Sequence, residues 1–207
     1  MQNIHNKIVN SINGSGRGSV FIINDFIDIA SNDTVKKNLL RLVYTGKLQR
    51  LSPGVYYFPE ISKLLGANLS PRIDKVAYAI ARKNKMNILM TESLAANLLG
   101  LTTQVQTQNV FLTAGKSRTV SIGNQKIVFK HTAPKSMQLS KHKGGIVVQA
   151  LKYFGKDRIT PDMINSLKNT LPDTIRQDLN KFQDLAPSWM RPYLNEIKFS
   201  FTKEKNE

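Results

Sequence analysis

A helix-like segment followed at once by a hairpin-like segment is the feature that most constrains the fold. Apolar spacing predicts a helix over Thr34–Thr45, and Gly46 is typical of the position just after a helix C-terminus. Two β-prone runs follow, Leu48–Leu51 and Val55–Phe58, and the turn formers Pro53-Gly54 lie between them. This order predicts a helix that ends at a glycine and leads directly into a short β-hairpin.

The residues before this segment predict further short elements. Apolar residues spaced about four apart predict an amphipathic helix over residues 2–13, and Gly14–Gly18 reads as a connector. A β-prone run covers Ser19–Ile23. Asn24 is a good N-cap, so a second helix is expected over Asp25–Ala30. The predicted order is therefore helix, strand, helix, helix, hairpin.

The helix over 34–45 has two different faces. Its apolar residues fall within one arc at 100° per residue and are expected to face the core: Val35, Leu39, Leu42 and Val43. The opposite arc carries cations, hydroxyls and an amide, which are the groups that contact phosphates and base edges in DNA. These candidate recognition residues are Thr34, Lys37, Asn38, Arg41 and Tyr44.

Helix, helix and basic hairpin together predict a winged helix-turn-helix. In that motif the second helix of the pair enters the major groove and the hairpin, or wing, lies along the backbone or minor groove. A small α+β domain whose helix happens to be basic remains the alternative. The candidate wing and flanking contacts are Arg17, Lys47, Gln49 and Arg50.

The charge of the chain also favours a polyanionic partner. Thirty Lys and Arg against fourteen Asp and Glu give +16 and a pI near 10.1. Residues 61–145 carry 13 cations and 2 carboxylates, a net charge of 13 − 2 = +11. We expect part of this segment to form one basic patch, although a scattered solvating surface is the alternative. The candidate patch residues are Lys83, Lys85, Lys116, Arg118, Lys126 and Lys130.

Beyond the joint at Pro59–Ser70 the pattern predicts a larger mixed domain. The expected fold is α+β: a winged helix over residues 1–60, then a domain over 70–207 with a small antiparallel sheet and C-terminal helices. A polar tail over residues 203–207 is expected to fray. The expected elements are a helix over 72–85, strands over 87–90, 109–113, 119–122 and 126–131, and helices over 91–99, 146–154, 161–169 and 174–185.

No motif points to catalysis. The tripeptide Gly115-Lys116-Ser117 resembles the end of a phosphate-binding loop, but Val110 stands where the upstream glycine is required. The three histidines lack metal-ligand spacing, and the chain has no cysteine. We therefore expect no enzyme activity, no cofactor and no metal. With no apolar run of membrane-spanning length and no signal-like N-terminus, a soluble cytoplasmic protein is expected.

Two segments resemble the AbiEi-type antitoxins of type IV toxin–antitoxin systems. The first is the pattern Val-x-x-x-Leu-x-Arg-Leu…Gly-Lys-Leu-x-Arg-Leu-x-x-Gly-Val-Tyr between Val35 and Tyr56. The second begins with ESLAANLLGL at Glu92–Leu101 and continues through Thr103-Gln-Val and VFLTAG at 110–115 to IVFK at 127–130. The resemblance covers about residues 1–135.

This resemblance implies a DNA-binding autorepressor whose second domain counteracts a nucleotidyltransferase-like toxin. It also implies binding to the chain's own promoter and no enzyme activity, and the lack of a membrane-length apolar run predicts no membrane partner. The wing has Ser52-Pro53 where the family pattern has a small residue followed by Arg, so that arginine contact is absent. A structured-RNA or tRNA binder that uses residues 61–145 remains the main alternative, and a nuclease-like enzyme fused to a winged helix is a weaker one.

Overall fold

The protein is a mixed α+β chain, as predicted, with small antiparallel sheets and C-terminal helices. The computed structural model describes residues 3–64, 66–104 and 108–198. Val105 of the resemblance and the predicted polar tail lie outside these residues. Two compact units are present, one of residues 1–86 with 119–127 and one of residues 87–118 with 128–207. No helix within the described ranges is long and apolar enough to cross a membrane.

The first unit combines three helices with a three-stranded antiparallel sheet. The strand order is β1-β3-β2, so the edge strands are β1 and β2. A 3-10 turn over Ile23–Phe26 separates β1 from α2. The regular elements are α1 (Ile4–Ser15), β1 (Val20–Ile22), α2 (Asn32–Tyr44), β2 (Gln49–Ser52), β3 (Val55–Tyr57) and α3 (Ile73–Lys83).

The core of the first unit lies between α1, α2 and the sheet. The prediction for the apolar face of α2 is confirmed, because Val35, Leu39 and Leu42 are buried and Val43 packs against the same cluster. The predicted hairpin is also confirmed as β2 and β3. Gly54 has φ = 72° in its turn, a left-handed conformation that favours glycine.

One helix prediction in this unit is wrong. Instead of a helix over Asp25–Ala30, the chain makes a single 3-10 turn at Ile23–Phe26, and Ile22 rather than Asn24 holds the N-cap position. The carboxylate of Asp25 accepts a hydrogen bond from the Ile22 N–H at 2.9 Å. The N–H groups of Ile27 and Ile29 then bond to carbonyls three residues back, as in a 3-10 turn rather than an α-helix.

The remaining strands form a four-stranded sheet in the order β4-β5-β7-β6. The predicted hairpin turn at Gly123-Asn124 is confirmed, and Gly123 has φ = 55°. The elements beyond α3 are β4 (Ile88–Met90), α4 (Glu92–Leu98), β5 (Asn109–Thr113), β6 (Arg118–Ile122), β7 (Gln125–His131), α5 (Gly145–Phe154), α6 (Pro161–Thr170), α7 (Asp173–Asp178) and α8 (Arg191–Lys198).

Helix α5 lies at the centre of the second unit. Its residues Val147, Val148 and Leu151 are fully buried in one cluster with residues of α6 and α8. The predicted continuous helix over 174–185 is wrong, because α7 ends at Asp178 and a 3-10 turn covers Leu179–Phe182. This change of helix type lets both ends of the turn, Leu179 and Phe182, be fully buried.

Candidate nucleic-acid interface

The outward face of α2 presents the predicted recognition residues in two groups. Lys37 and Arg41 are exposed, and Tyr44 at the end of the helix is 88% exposed. Thr34 and Asn38 are half-buried on the same helix. A large aromatic side chain exposed beside two cations is an arrangement suited to a charged or stacking partner.

The two half-buried residues are engaged within the first unit. Thr34 Oγ1 lies 3.0 Å from the Ser31 hydroxyl at the start of α2. The Asn38 Nδ2 atom donates to the Thr34 carbonyl at 2.9 Å, and its Oδ1 atom lies 3.0 Å from Nδ1 of His5 on α1. Asn38 therefore contacts α1 through Oδ1, while its Nδ2 bonds within α2.

The β2–β3 hairpin supplies the predicted wing contacts. Gln49 and Arg50 are exposed on the edge strand β2. Arg50 is paired in register with Tyr56 on β3. Burial raises the pKa of Tyr56, and the nearby charge of Arg50 acts in the opposite direction. Arg50 is thus held on an ordered strand, whereas Lys47 lies on the bend before that strand.

The flanking cations surround the side chain of Phe58. The guanidinium carbon of Arg17 lies 4.8 Å from the ring centroid, and the Lys47 ammonium lies 5.8 Å from it. Arg17 also donates to the Pro59 carbonyl at 2.8 Å. Arg17 is nevertheless an exposed residue, and its contact with a phosphate stays a prediction.

The structure distributes the predicted basic patch over both compact units. Lys83, Lys85 and Lys126 belong to the first unit, and Lys116, Arg118 and Lys130 to the second. Lys83 donates to the Pro53 carbonyl in the turn between β2 and β3. The convergence of all six residues on one surface stays a prediction.

Within β6 and β7, the cations lie on two faces of the sheet. Lys126 and Lys130 are exposed and alternate with the buried residues Ile127 and Phe129. The Arg118 guanidinium lies over the Phe129 ring, 5.2 Å from its centroid. Because side chains alternate along a strand, Arg118 packs on the face of the sheet opposite Lys130.

Helix α3 contributes two cations whose role the sequence analysis missed. Lys75 donates to the Gly18 carbonyl at 3.0 Å. Arg82 binds the Asp25 carboxylate at 3.0 Å and the Val20 carbonyl at 3.3 Å. Their seven-residue spacing, which places both on one helix face, was the available signal. These contacts attach α3 to β1 and to the turn before α2.

These elements define a two-unit α+β protein whose first unit exposes a cationic helix face beside a short hairpin. The chain belongs to a family of unknown function, DUF6088, whose model matches residues 7–179. The match extends into both compact units. No match was found among curated proteins. The described part of the chain contains no cluster of His, Asp, Glu or Cys that could hold a metal ion.

Proposed function

We propose that this chain is a DNA-binding transcriptional autorepressor and the antitoxin of a type IV toxin–antitoxin system. The observation that carries the DNA-binding part is that Lys37, Arg41 and Tyr44 are exposed on α2 and that Arg50 is exposed on the edge strand of the hairpin. The antitoxin part is supported by the sequence resemblance over both segments. The first unit then acts as the winged helix.

In this proposal α2 enters the major groove, which at about 12 Å is wide enough for a helix. Arg41 can donate two hydrogen bonds to a guanine edge, and Lys37 can neutralise a phosphate. Asn38 holds the helix against α1 rather than contacting a base. Gln49 and Arg50 contact the backbone beside the groove. Arg41 is therefore the residue that gives the protein most of its preference for one DNA sequence.

The second unit counteracts a nucleotidyltransferase-like toxin, either by contact with the toxin or with its anionic substrate. Lys116 and Lys130 are exposed cations of this unit. Neither lysine forms an ion pair with the residues that the structure describes, so both charges are available to an anionic partner. A nucleotidyltransferase-like gene directly downstream is the expected genomic arrangement, and such a gene supplies the toxin for the test.

Growth rescue tests the antitoxin part in cells that express that toxin. Reversing Lys116→Glu and Lys130→Glu together should abolish rescue and leave promoter binding intact. Lys156→Glu is the charge-reversal control at another exposed lysine of the second unit. Arg118 is left unchanged because it packs on Phe129. Full rescue by the double variant would contradict a role for this charge in antitoxicity.

A structured-RNA binder is the second candidate, and the alternation of Lys126 and Lys130 along β7 favours it. Exposed cations on a strand can neutralise phosphates of a folded RNA. Competition between promoter duplex and folded RNA distinguishes the two candidates. If folded RNA displaces promoter DNA at equal concentration, the RNA-binding function is the better assignment.

A further inference from the structure

A cavity of about 830 Å³ in the second unit has no role in the proposed function. Ligand sites in proteins are commonly about 300–1,000 Å³, so this cavity is large enough for a metabolite-sized molecule. Leu89, Leu112 and Leu139 provide its apolar lining, and α5 contributes Gln149 and Lys152. We call this cavity the Gln149 pocket.

Gln149 is the most informative residue of the pocket. Its side chain is only 3% exposed, and its Nε2 atom donates to the Met90 carbonyl at 2.8 Å. Among the described residues, its Oε1 atom accepts no hydrogen bond. Because Oε1 is not a fully buried atom, it opens to the pocket. A ligand with an N–H group could bond to that oxygen in place of water.

The charges of the lining limit the class of ligand. The pocket is lined by two carboxylates, Glu92 and Asp184, and by one ammonium, Lys152. A net negative lining is unusual in a chain of +16 and is unsuited to polyphosphates or nucleic-acid strands. The leucines favour a ligand with an apolar or planar body. The class of ligand that meets both conditions is an uncharged or singly charged organic molecule.

We propose that the Gln149 pocket binds a small organic compound with an apolar or planar body and an amide-type edge that donates an N–H to Gln149. The carboxamide of Gln149 offers an acceptor and the second N–H of Nε2, so a paired donor–acceptor edge satisfies it fully. Nucleobases and primary carboxamides both carry such an edge. This inference does not depend on the proposed function.

Two probes distinguish these sources on the full-length protein. Adenosine presents a nucleobase edge, and N-acetyl-phenylalanine amide presents a carboxamide on an apolar body. Ligand-observed NMR titration should show saturable binding of at least one probe at millimolar concentration. Binding of adenosine alone assigns the pocket to nucleobases, binding of the amide alone assigns it to carboxamides, and binding of both assigns it to the shared edge.

Two substitutions test whether the probe binds in the Gln149 pocket. Gln149→Met keeps the volume but removes the acceptor, and it should weaken the bound probe at least tenfold. Ala133→Trp, at an exposed residue of the lining, should block binding without altering the core. Ala114→Trp is the matched control, because Ala114 is exposed in the same unit and does not line the pocket.

Three results would overturn the proposal. The first is the absence of saturable binding of both probes to the folded protein. The second is binding that survives Ala133→Trp, which would place the probe elsewhere. The third is a pocket that prefers ATP, seen as ATP binding that is tighter than adenosine binding and is lost in Ala133→Trp. If Gln149→Met fails to fold, Ala133→Trp decides the question by itself.

Discussion

The Oδ1 atom of Asn38 lies 3.0 Å from Nδ1 of His5, a contact that joins α2 to α1 across 33 residues of sequence. The same amide donates to the Thr34 carbonyl. Asn38 therefore acts as a positioning residue, although its place on the polar arc of α2 predicts a base contact. Lys37, Arg41 and Tyr44 are left as the exposed groups of that arc.

The first prediction concerns this contact. Asn38→Ala and His5→Ala should each destabilise the protein by about 0.5–1.5 kcal/mol, because each removes a hydrogen-bond partner. The two effects should be non-additive by at least about 0.5 kcal/mol in a double-mutant cycle measured by chemical denaturation. Asn38→Ala should also weaken binding to all DNA sequences alike. Strictly additive effects, or a change in base preference, would contradict the positioning role.

The second prediction separates base reading from charge on α2. Arg41→Ala should reduce discrimination between operator and unrelated duplex by about 1–3 kcal/mol, because a bidentate base contact is lost. Lys36→Ala removes the same charge from an exposed position on the flank of the helix and should weaken both duplexes equally. Competitive fluorescence anisotropy measures both. If both variants weaken binding to operator and unrelated duplex equally, the α2 face contributes only non-specific electrostatic attraction to DNA.

Helix ends and tight turns could be predicted from the sequence, because they depend on residues close together in the chain. Gly46 and Gly123 both adopt positive φ where the sequence predicts a helix end and a hairpin turn. Pro192 in the first turn of α8 was an equally good signal, and that helix was missed. The Asn38–His5 and Arg118–Phe129 contacts could not be predicted, since they depend on how distant elements pack.

The third prediction concerns Asp178 and acid stability. Burial by itself raises the pKa of Asp178, but hydrogen bonds from Lys181 and the Gly144 N–H, with the charges of Lys181 and His142, outweigh burial and lower that pKa. The stabilisation is therefore complete above the unfolded-state pKa of about 3.9 and is lost as the pH falls through the folded-state pKa.

Asp178→Asn should cost about 1.5–3 kcal/mol of unfolding free energy near neutral pH, because it removes the charge-assisted bonds. The difference from the unmodified protein should shrink as the pH falls below about 4. Fluorescence of Trp189, the single tryptophan, follows unfolding of the second unit, whose core it contacts. A difference that stays constant down to acid unfolding would contradict the linkage.

The fourth prediction compares two glycines that have opposite surroundings. A Cβ at Gly145 would lie 2.1 Å from the Leu139 carbonyl oxygen, so Gly145→Ala should destabilise the protein by at least about 2 kcal/mol. A Cβ at Gly14, inside α1, would meet nothing within 4 Å, so Gly14→Ala should stabilise it by about 0.5–1 kcal/mol. Circular dichroism with denaturant measures both, and effects of the same sign would contradict this packing.

The positions of the cations in the basic segment were harder to predict from the sequence than those on α2. The helix face could be predicted because 100° per residue relates every position of one helix to the others. No such rule relates the cations of α3 to those of β7. Lys75 and Arg82 proved to bind backbone and carboxylate groups of the first unit, which only the folded chain reveals.

The central claim is sequence-specific DNA binding by the first unit, and DNase footprinting of the region upstream of the gene tests it most directly. At physiological salt the full chain should protect one defined site and bind it at least about 1,000-fold more tightly than an unrelated duplex of equal length. Arg41→Ala should lose the protection while Lys36→Ala keeps it at higher concentration. Equal affinity for the two duplexes, with no protected site, would contradict the claim.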